Sequence, residues 1–312
     1  MRDREADPDY RHRLVSQIHI KRMKIVRLVQ TSAIFSLLFC SCATRHSTGQ
    51  LLPAEVPFNG EAGRGDYLFV TLRLKNSEDL LFALDTGAPG TVLDKSLRRK
   101  LGRRRGETKI PYPWYGITNS MAIYKSPPLR LGNTSLRTGE WALTDDLNWI
   151  WPGRGVKGIL GMDCLRNYCV QLDFPNRKVR LLIQDNINTE GLGKAFPLSF
   201  FDSGVPWVIG DLMGDQDTKS EVDTGEPNDG SLTHQLFQQQ FREQKPILTR
   251  QFKTFTGEAK TAAIFPTGLF GGITYTNLKV LDFSENVVGL RFLARHLVTF
   301  NFPKRMMYLK QE

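Results

Sequence analysis

The sequence predicts an all-β protein with a few short helices, in which two copies of a unit of somewhat over a hundred residues follow each other. Three observations lead to this prediction. The tripeptide Asp-Thr-Gly occurs twice, at residues 85–87 and 223–225. Short strand-like runs separated by turn residues precede both tripeptides. The segments that close the two copies, residues 159–182 and 287–309, align without a gap.

Length and composition place the chain among ordinary globular proteins. Its 312 residues suffice for about two domains. The hydrophobic content of 40% and charged content of 24% argue against extensive disorder. Part of the net charge of +10 comes from the run Arg-Arg-Lys-Leu-Gly-Arg-Arg-Arg at residues 98–105. Such a run can contact membrane phosphates or acidic substrates, but it is more often a solvated helix end, which we favour. No motif indicates nucleic-acid binding.

The N-terminal region carries an export pattern. Four basic residues between positions 21 and 27 precede an uncharged run, residues 28–42, which is too short to span a bilayer comfortably. The run ends in Phe-Cys-Ser-Cys, which resembles the lipobox of bacterial lipoproteins and makes Cys42 the candidate lipid-attachment residue. A plain secretory signal or a short membrane anchor is the alternative.

These patterns predict the organisation of the whole chain. Met23 is a natural start site for the export signal, so the residues before it are expected to be an upstream extension. The predicted segments are the extension (1–22), a signal peptide (23–41), a linker (42–55), an N-terminal lobe (56–190) and a C-terminal lobe (191–312). The protein is then expected to be exported and held at a membrane of the cell envelope by a lipid on Cys42, in the periplasm or at the cell surface.

The order of segments, more than the shared tripeptide, indicates an internal duplication. In the closing segments, Gly161 aligns with Gly289 and Arg177 with Arg305. After each tripeptide comes a loop and then a helix-like stretch, at residues 91–101 and 231–241. A single Asp-Thr-Gly is ordinary turn chemistry, but its recurrence in the same context calls for a common role.

The presence of two such aspartates has a chemical explanation, because each can serve as the partner of the other. A strand delivers each aspartate inward, glycine allows a tight turn, and the threonine hydroxyl can bond to backbone across the molecule. Asp85 or Asp223 alone would be an awkward half-buried charge. Brought together across a pseudo-twofold axis, they cannot both ionise, so the pair holds one proton and supplies a general base and a general acid at once.

The motifs resemble those of the retropepsin-like aspartic proteases. The matching residues are the hydrophobic-Asp-Thr-Gly-Ala at 84–88, Thr-Val-Leu at 91–93, Gly-Ile-Leu-Gly-Met-Asp-x-Leu at 158–165 and Asp-Phe-Pro-x-Arg at 173–177. Two units in one chain resemble the bilobal pepsins, with smaller lobes. The resemblance covers about residues 55–311 and implies an all-β fold of two pseudo-twofold-related acid-protease lobes.

The resemblance also implies roles for particular residues. Asp85 and Asp223 would be the catalytic pair. Thr86 and Thr224 would brace the two loops, with Gly87 and Gly225 as turn glycines. A flap hairpin would cover the cleft near residues 111–120, where Trp114 and Tyr115 would either cover substrate or pack as a buried pair. A second hairpin would lie near residues 254–260.

The second copy departs from the pattern in its loop. Glu226 stands where a small or hydroxyl residue is usual, and the loop is one residue longer than in the first copy. Glu226 can raise the pKa values of the pair, distort the loop or point to solvent. Arg291 aligns with Asp163, which we predict to cap the following helix. Cys164 and Cys169 are either a disulfide, which export permits, or two buried thiols.

The sequence therefore predicts an aspartic-type endopeptidase that hydrolyses an extended polypeptide. No metal or organic cofactor is required, and dimerisation is not needed because one chain supplies both aspartates. The first alternative is a catalytically inactive, peptide-binding envelope lipoprotein in which changes in the second copy have ended turnover. The second is an envelope lipoprotein that uses the fold only as a scaffold.

Overall fold

Strands dominate the chain and helices are short, which confirms the predicted all-β fold class. The computed structural model describes residues 53–74, 78–112, 117–183, 187–253 and 258–311. Residues 53–183 are called the N-terminal half below, and residues 187–311 the C-terminal half. The predicted extension, signal peptide and Cys42 lie outside the described residues, and the lobe boundaries stay predictions. The described residues contain no helix that is long and apolar enough to cross a membrane.

The strands of the N-terminal half are β1 (Ala54–Pro57), β2 (Phe69–Leu74), β3 (Asp79–Leu84), β4 (Val92–Asp94), β5 (Gly106–Tyr112), β6 (Ile117–Lys125), β7 (Leu129–Leu131), β8 (Thr134–Ser135), β9 (Trp141–Asp145), β10 (Val156–Leu160), β11 (Cys169–Asp173) and β12 (Lys178–Leu182). Its helices are the 3-10 segments Lys95–Lys100 and Leu147–Trp149 and the short helix α1 (Met162–Leu165).

The strands of the C-terminal half are β13 (Lys194–Pro197), β14 (Ser199–Phe200), β15 (Pro206–Ile209), β16 (Lys219–Asp223), β17 (Gly230–Thr233), β18 (Leu248–Lys253), β19 (Ala259–Phe270), β20 (Ile273–Phe283), β21 (Val287–Gly289), β22 (His296–Asn301) and β23 (Met306–Gln311). Its helices are α2 (His234–Glu243) and α3 (Leu290–Leu293).

Three sheets organise the described strands. A 9-stranded sheet from the N-terminal half has the order β5-β6-β9-β4-β10-β3-β2-β7-β8, and an 8-stranded sheet from the C-terminal half has the order β14-β15-β16-β21-β17-β20-β19-β18. A 6-stranded sheet, β1-β12-β11-β22-β23-β13, takes strands from both halves. Its two central strands, β11 and β22, are antiparallel and almost fully buried. The halves thus share one continuous ladder of backbone hydrogen bonds.

The closing segments of the two halves use the same elements at the aligned positions. Helices α1 and α3 each begin directly after an aligned glycine, Gly161 or Gly289, whose backbone is extended. The following strand pairs, β11–β12 and β22–β23, are both antiparallel hairpins. The turn in each hairpin contains an arginine with positive φ, 55° at Arg177 and 54° at Arg305. Such a conformation is uncommon outside glycine, so its recurrence at aligned positions supports the duplication.

The helix predictions after the tripeptides are only partly right. Residues 91–101 and 231–241 each begin with a short strand, β4 or β17, and helix follows only afterwards. These strands pair with β10 and β21 on one side, and with β9 and β20 on the other. The β-branched and apolar residues near the start of both stretches, Thr91-Val92-Leu93 and Leu232-Thr233, suit a buried strand better than a first helical turn.

The core is continuous through both halves, with a smaller apolar cluster on the N-terminal sheet. Trp151 belongs to the smaller cluster; it is 6% exposed and makes edge-on contacts with Tyr67 and Phe69 at ring distances of 5.3 and 5.7 Å. For Trp151 the structure favours packing.

The cysteines and the basic run are structural features of the N-terminal half. Cys164 and Cys169 are buried free thiols, and burial raises the pKa of both thiols, which disfavours the reactive thiolate. The first part of the basic run lies in the 3-10 helix Lys95–Lys100, and Arg104 in the second part pairs with Glu107 near the surface. This agrees with a solvated helix end.

Candidate active site

Each Asp-Thr-Gly follows a strand that is held between two neighbours. β3 runs parallel to β10, and the backbone N–H of Asp85 donates to the carbonyl of Leu160 at 3.1 Å. β16 runs parallel to β21 in the same way, with Asp223 opposite Gly289. The chain then turns back and forms β4 or β17 on the far side of β10 or β21. Both aspartates therefore sit where a buried strand gives way to a loop.

Thr86 and Thr224 join the two loops through four reciprocal hydrogen bonds. The Thr86 hydroxyl donates to the carbonyl of Val222 at 2.7 Å and accepts from the N–H of Thr224 at 3.0 Å. The Thr224 hydroxyl donates to the carbonyl of Leu84 at 2.8 Å and accepts from the N–H of Thr86 at 3.0 Å. Both side chains are fully buried. These bonds link the two loops directly through the threonine side chains.

Gly87 and Gly225 leave the space into which the carboxylates fit. A Cβ on Gly87 would lie 2.4 Å from Cγ of Asp223, and a Cβ on Gly225 would lie 2.7 Å from Cγ of Asp85. Any side chain here would displace the carboxylate of the opposite loop. The two glycines also donate: the N–H groups of Gly87 and Gly225 bond to Oδ1 of Asp223 at 3.2 and 2.6 Å.

The two aspartates form one electrostatic unit. Burial raises the pKa of Asp85 well above its ordinary value, and both the charge of Asp223 and a hydrogen bond with Asp223 raise it further. Burial also raises the pKa of Asp223, but there the N–H of Gly225, the hydrogen bond with Asp85 and the N–H of Gly87 oppose the rise. The two N–H donors on Oδ1 of Asp223 favour its anionic form, and the titration belongs to the pair.

Glu226 is a third buried carboxyl group next to this pair. It is 5% exposed, and its Oε1 accepts from the backbone N–H of Asn228 at 2.8 Å and from the Asn228 side-chain amide at 2.6 Å. Burial raises the pKa of Glu226 to about 7; the two bonds from Asn228 oppose this, and the charge of Asp223 adds to it. Of the three alternatives left by the sequence, pointing to solvent is therefore wrong.

Each Asp-Thr-Gly loop is held to the short helix that follows β10 or β21, and the contacts differ between the two halves. In the N-terminal half, the carboxylate of Asp163 accepts from the Thr91 hydroxyl at 2.8 Å and from the N–H of Gly139 at 2.9 Å. The prediction that Asp163 caps α1 is wrong, because Gly161 occupies the cap position and Asp163 lies inside the helix. Its side chain reaches sideways to the loop instead.

In the C-terminal half the acid is in the loop, at Asp229, and its partners are arginines on and after α3. Asp229 is 0% exposed and accepts from Nε and Nη2 of Arg295 at 3.1 and 2.9 Å, while Nη1 of Arg291 lies 3.3 Å from its other oxygen. No sequence pattern predicted a role for Asp229. Two sequence features could have indicated its role. The loop is one residue longer than in the first copy, and Arg291 stands in place of Asp163, so that a loop acid can pair with a helix base.

Pairs of antiparallel strands flank both predicted flap positions. β5 and β6 are antiparallel, with Tyr112 opposite Ile117, and β18 and β19 are antiparallel, with Lys253 opposite Ala259. Trp114 and Tyr115 lie outside the described residues, so their predicted role stays a prediction. No group of three or more histidine, cysteine or acidic residues with metal-binding geometry occurs in the part of the chain that the structure describes.

Comparisons with known proteins agree with the fold. The sequence model of a family described as aspartyl protease matches residues 70–164. The crystal structure of basic 7S globulin from soybean superposes with a TM-score of 0.53 at 11% identity, covering 83% of this chain and 95% of that chain. A search of curated proteins finds no match. Residues 70–164 thus match an aspartyl protease family model, and the chain has an all-β, acid-protease-like fold.

Replacing Thr224 by valine should strongly destabilise the protein. Valine keeps the shape but leaves the carbonyl of Leu84 and the N–H of Thr86 without a bonding partner in a buried site. The expected loss is roughly 2–4 kcal/mol of unfolding free energy, measured by urea denaturation. Thr224→Ser is the control, since it retains the hydroxyl and should lose only about 1 kcal/mol for the missing methyl. Equal losses in the two variants would contradict the brace.

Replacing Glu226 by glutamine should flatten the dependence of stability on pH. The pKa of Glu226 is about 7 in the folded protein against an ordinary 4.5, so between these values the folded state binds more protons than the unfolded state. Wild-type stability then falls as pH rises from about 4.5 to 7, by on the order of 3 kcal/mol from this group. Glutamine does not titrate.

The difference in unfolding free energy between wild type and Glu226→Gln, measured across this pH range, isolates the contribution of Glu226. The aspartate pair titrates in both proteins and is expected to cancel to first order. A difference that does not change between pH 4.5 and 7 would show that Glu226 is not held as a buried, raised-pKa carboxyl group.

Proposed function

We propose that the chain is an aspartic-type endopeptidase in which Asp85 and Asp223 activate water to hydrolyse peptide bonds. The observation that carries the proposal is the exchange of hydrogen bonds between Thr86 and Thr224, which joins the loops that carry a buried Asp223 and a partly buried Asp85. A structural role for two turn aspartates would not require that each be placed against the glycine of the other loop.

The pair is suited to general acid–base catalysis because its members differ. Asp223, with amide donors from Gly87 and Gly225, takes a proton from water as the water oxygen attacks the peptide carbonyl carbon. Asp85, whose pKa is raised further, donates its proton to the carbonyl oxygen. The tetrahedral intermediate breaks its C–N bond when the nitrogen receives a proton from the pair. No metal or organic cofactor is needed for these steps.

The proposed substrate class, an extended polypeptide, is based on the exposed strand edges near the site. An extended polypeptide can pair its backbone with strand edges, which is a common mode of peptide recognition. The hairpins β5–β6 and β18–β19 offer such edges, and each brackets a predicted flap. Both aspartates come from one chain, so the proposed site needs no second copy.

Glu226 favours a second candidate, a catalytically inactive peptide-binding protein. A third buried carboxyl group that feels the charge of Asp223 can add a second negative charge to the site near neutral pH. In that case the fold would still hold peptide but would turn over slowly or not at all. This candidate differs from the first only in chemistry, so binding and hydrolysis must be measured separately.

The envelope location is also a proposal. It rests on the export pattern of residues 23–42 and on Cys42 as a lipid-attachment residue. The mass of the N-terminal peptide of the mature protein tests it directly, because lipidation adds acyl chains to a cysteine that becomes the first residue.

Replacing either aspartate by asparagine should abolish peptide hydrolysis. Asp85→Asn and Asp223→Asn each remove the shared proton or its acceptor, and we expect kcat/KM to fall by at least about a thousandfold on a peptide library. Wild-type activity should follow a bell-shaped pH profile, falling when the pair is fully protonated and again when both members ionise. Asp79→Asn is the matched control, since Asp79 is exposed and forms its surface ion pair with Arg73.

Binding of a statine-type transition-state mimic separates the candidates. A protease binds the mimic and cleaves peptides. The inactive peptide-binding protein binds the mimic or peptides without cleavage between pH 3 and 8, and that result would overturn the protease proposal. A protein that uses the fold only as a scaffold does neither.

A further inference from the structure

A basic cavity lies apart from the candidate active site, where the two halves meet. It has a volume of about 530 Å³ and contains neither Asp85 nor Asp223 in its lining. The N-terminal half contributes residues 62–64 and Phe174, and the C-terminal half contributes Asn277, Arg291 and Arg295. This volume is within the range of about 300–1,000 Å³ that is typical of small-molecule sites.

The walls of the cavity are held in place by close packing. Gly63 has a φ of 72°, and a Cβ at this position would lie 2.2 Å from Cβ of Ala294. The turn therefore rests directly on the segment that follows α3. On the other side, Asp173, which precedes Phe174, is opposite Leu297 in the shared central sheet. Both halves thus contribute to the cavity through rigid contacts.

Three guanidinium groups line the cavity, and the fully buried carboxylate of Asp229 behind the lining pairs with two of them. Arg295 uses all its nitrogens, two of them on Asp229 and Nη1 on the carbonyl of Thr276 at 2.9 Å. Arg291 makes only the 3.3 Å ion pair with Asp229, whose same oxygen also accepts from the N–H of Lys279. Arg295 and Asp229 therefore neutralise each other, and Arg291 keeps donors that face no described partner.

Arg64 is the third guanidinium, and among the described residues it makes no ion pair. The acids nearest to it in sequence are Glu61 and Asp66. Glu61 is exposed and likewise makes no ion pair with a described residue, while Asp66 is bound by Arg154, with both carboxylate oxygens within 2.7 Å of Nη1. The cavity thus carries an excess of positive charge on two arginines from opposite halves.

We propose that this cavity binds a small oxyanion, a phosphate or carboxylate group, between Arg64 and Arg291. Guanidinium groups present several N–H donors in a plane and match the oxygens of both anions. An anion at this place would join a turn of the N-terminal half to the helix end of the C-terminal half. It would also lie beside Asp229, whose carbonyl accepts from the N–H of Gly289 at 2.8 Å and which belongs to the loop that follows Asp223.

The proposal is tested by anion binding to the intact protein at constant ionic strength. Protein in a chloride buffer is titrated with inorganic phosphate in one arm and with acetate in the other, followed by calorimetry and by the melting temperature. We expect saturable binding in at least one arm and a rise in Tm of several degrees at saturation, because a ligand that binds only the folded state stabilises it. Saturable binding of phosphate but not acetate would identify a phosphate site. Saturable binding of acetate would show that the site also accepts carboxylates.

Two arginine variants distinguish the cavity from general attraction of anions to a basic protein. Arg64→Gln should weaken binding by at least about tenfold, since it removes one of the two charged contacts. Arg103→Gln removes the same charge from an exposed residue outside the cavity and should leave the affinity within about twofold. Absence of saturable binding in both arms, or equal affinities in Arg64→Gln and Arg103→Gln, would overturn the proposal. Peptide hydrolysis is not part of this readout.

Discussion

The exchange of hydrogen bonds between Thr86 and Thr224 is the constraint on which the rest of the site depends. Each hydroxyl donates to one strand and accepts from the opposite loop, so neither loop can move without leaving buried polar groups unsatisfied. The exchange fixes the distance between the loops, and that distance forces Asp85 and Asp223 together. Burial raises the pKa of both aspartates, and the charge of Asp223 raises that of Asp85 further. The need for glycine at positions 87 and 225 follows from the closeness of the carboxylates.

The two halves meet this constraint with different supporting contacts. In the N-terminal half a neutral hydroxyl, Thr91, ties the loop to α1 through Asp163. In the C-terminal half the acid is in the loop, at Asp229, and the bases lie beyond it on α3 and at Arg295. Glu226 adds another buried carboxyl group that is bonded to Asn228 in the same loop. The C-terminal loop is thus held by charge, and its geometry is expected to depend more on pH than that of its counterpart.

The sequence predicted the features that repeat and missed those that do not. Asp85 with Asp223 and Thr86 with Thr224 could be assigned because the duplication places equivalent residues face to face. The direction of the Glu226 side chain could not be predicted, because it depends on the bonds from Asn228 within one short loop. Asp163 looked like a helix cap, but the helix begins one residue earlier, after Gly161. The role of Asp229 could not be predicted, since its partner Arg295 is distant in sequence.

Direct titration of the aspartate carboxyl carbons by NMR tests the central claim that Asp85 and Asp223 are one coupled pair. The spectra are assigned with Asp85→Asn and Asp223→Asn. We predict that both signals shift in two common steps and that one apparent pKa lies well above the ordinary aspartate value of 3.8. Two independent titrations, each near 3.8, would contradict the account.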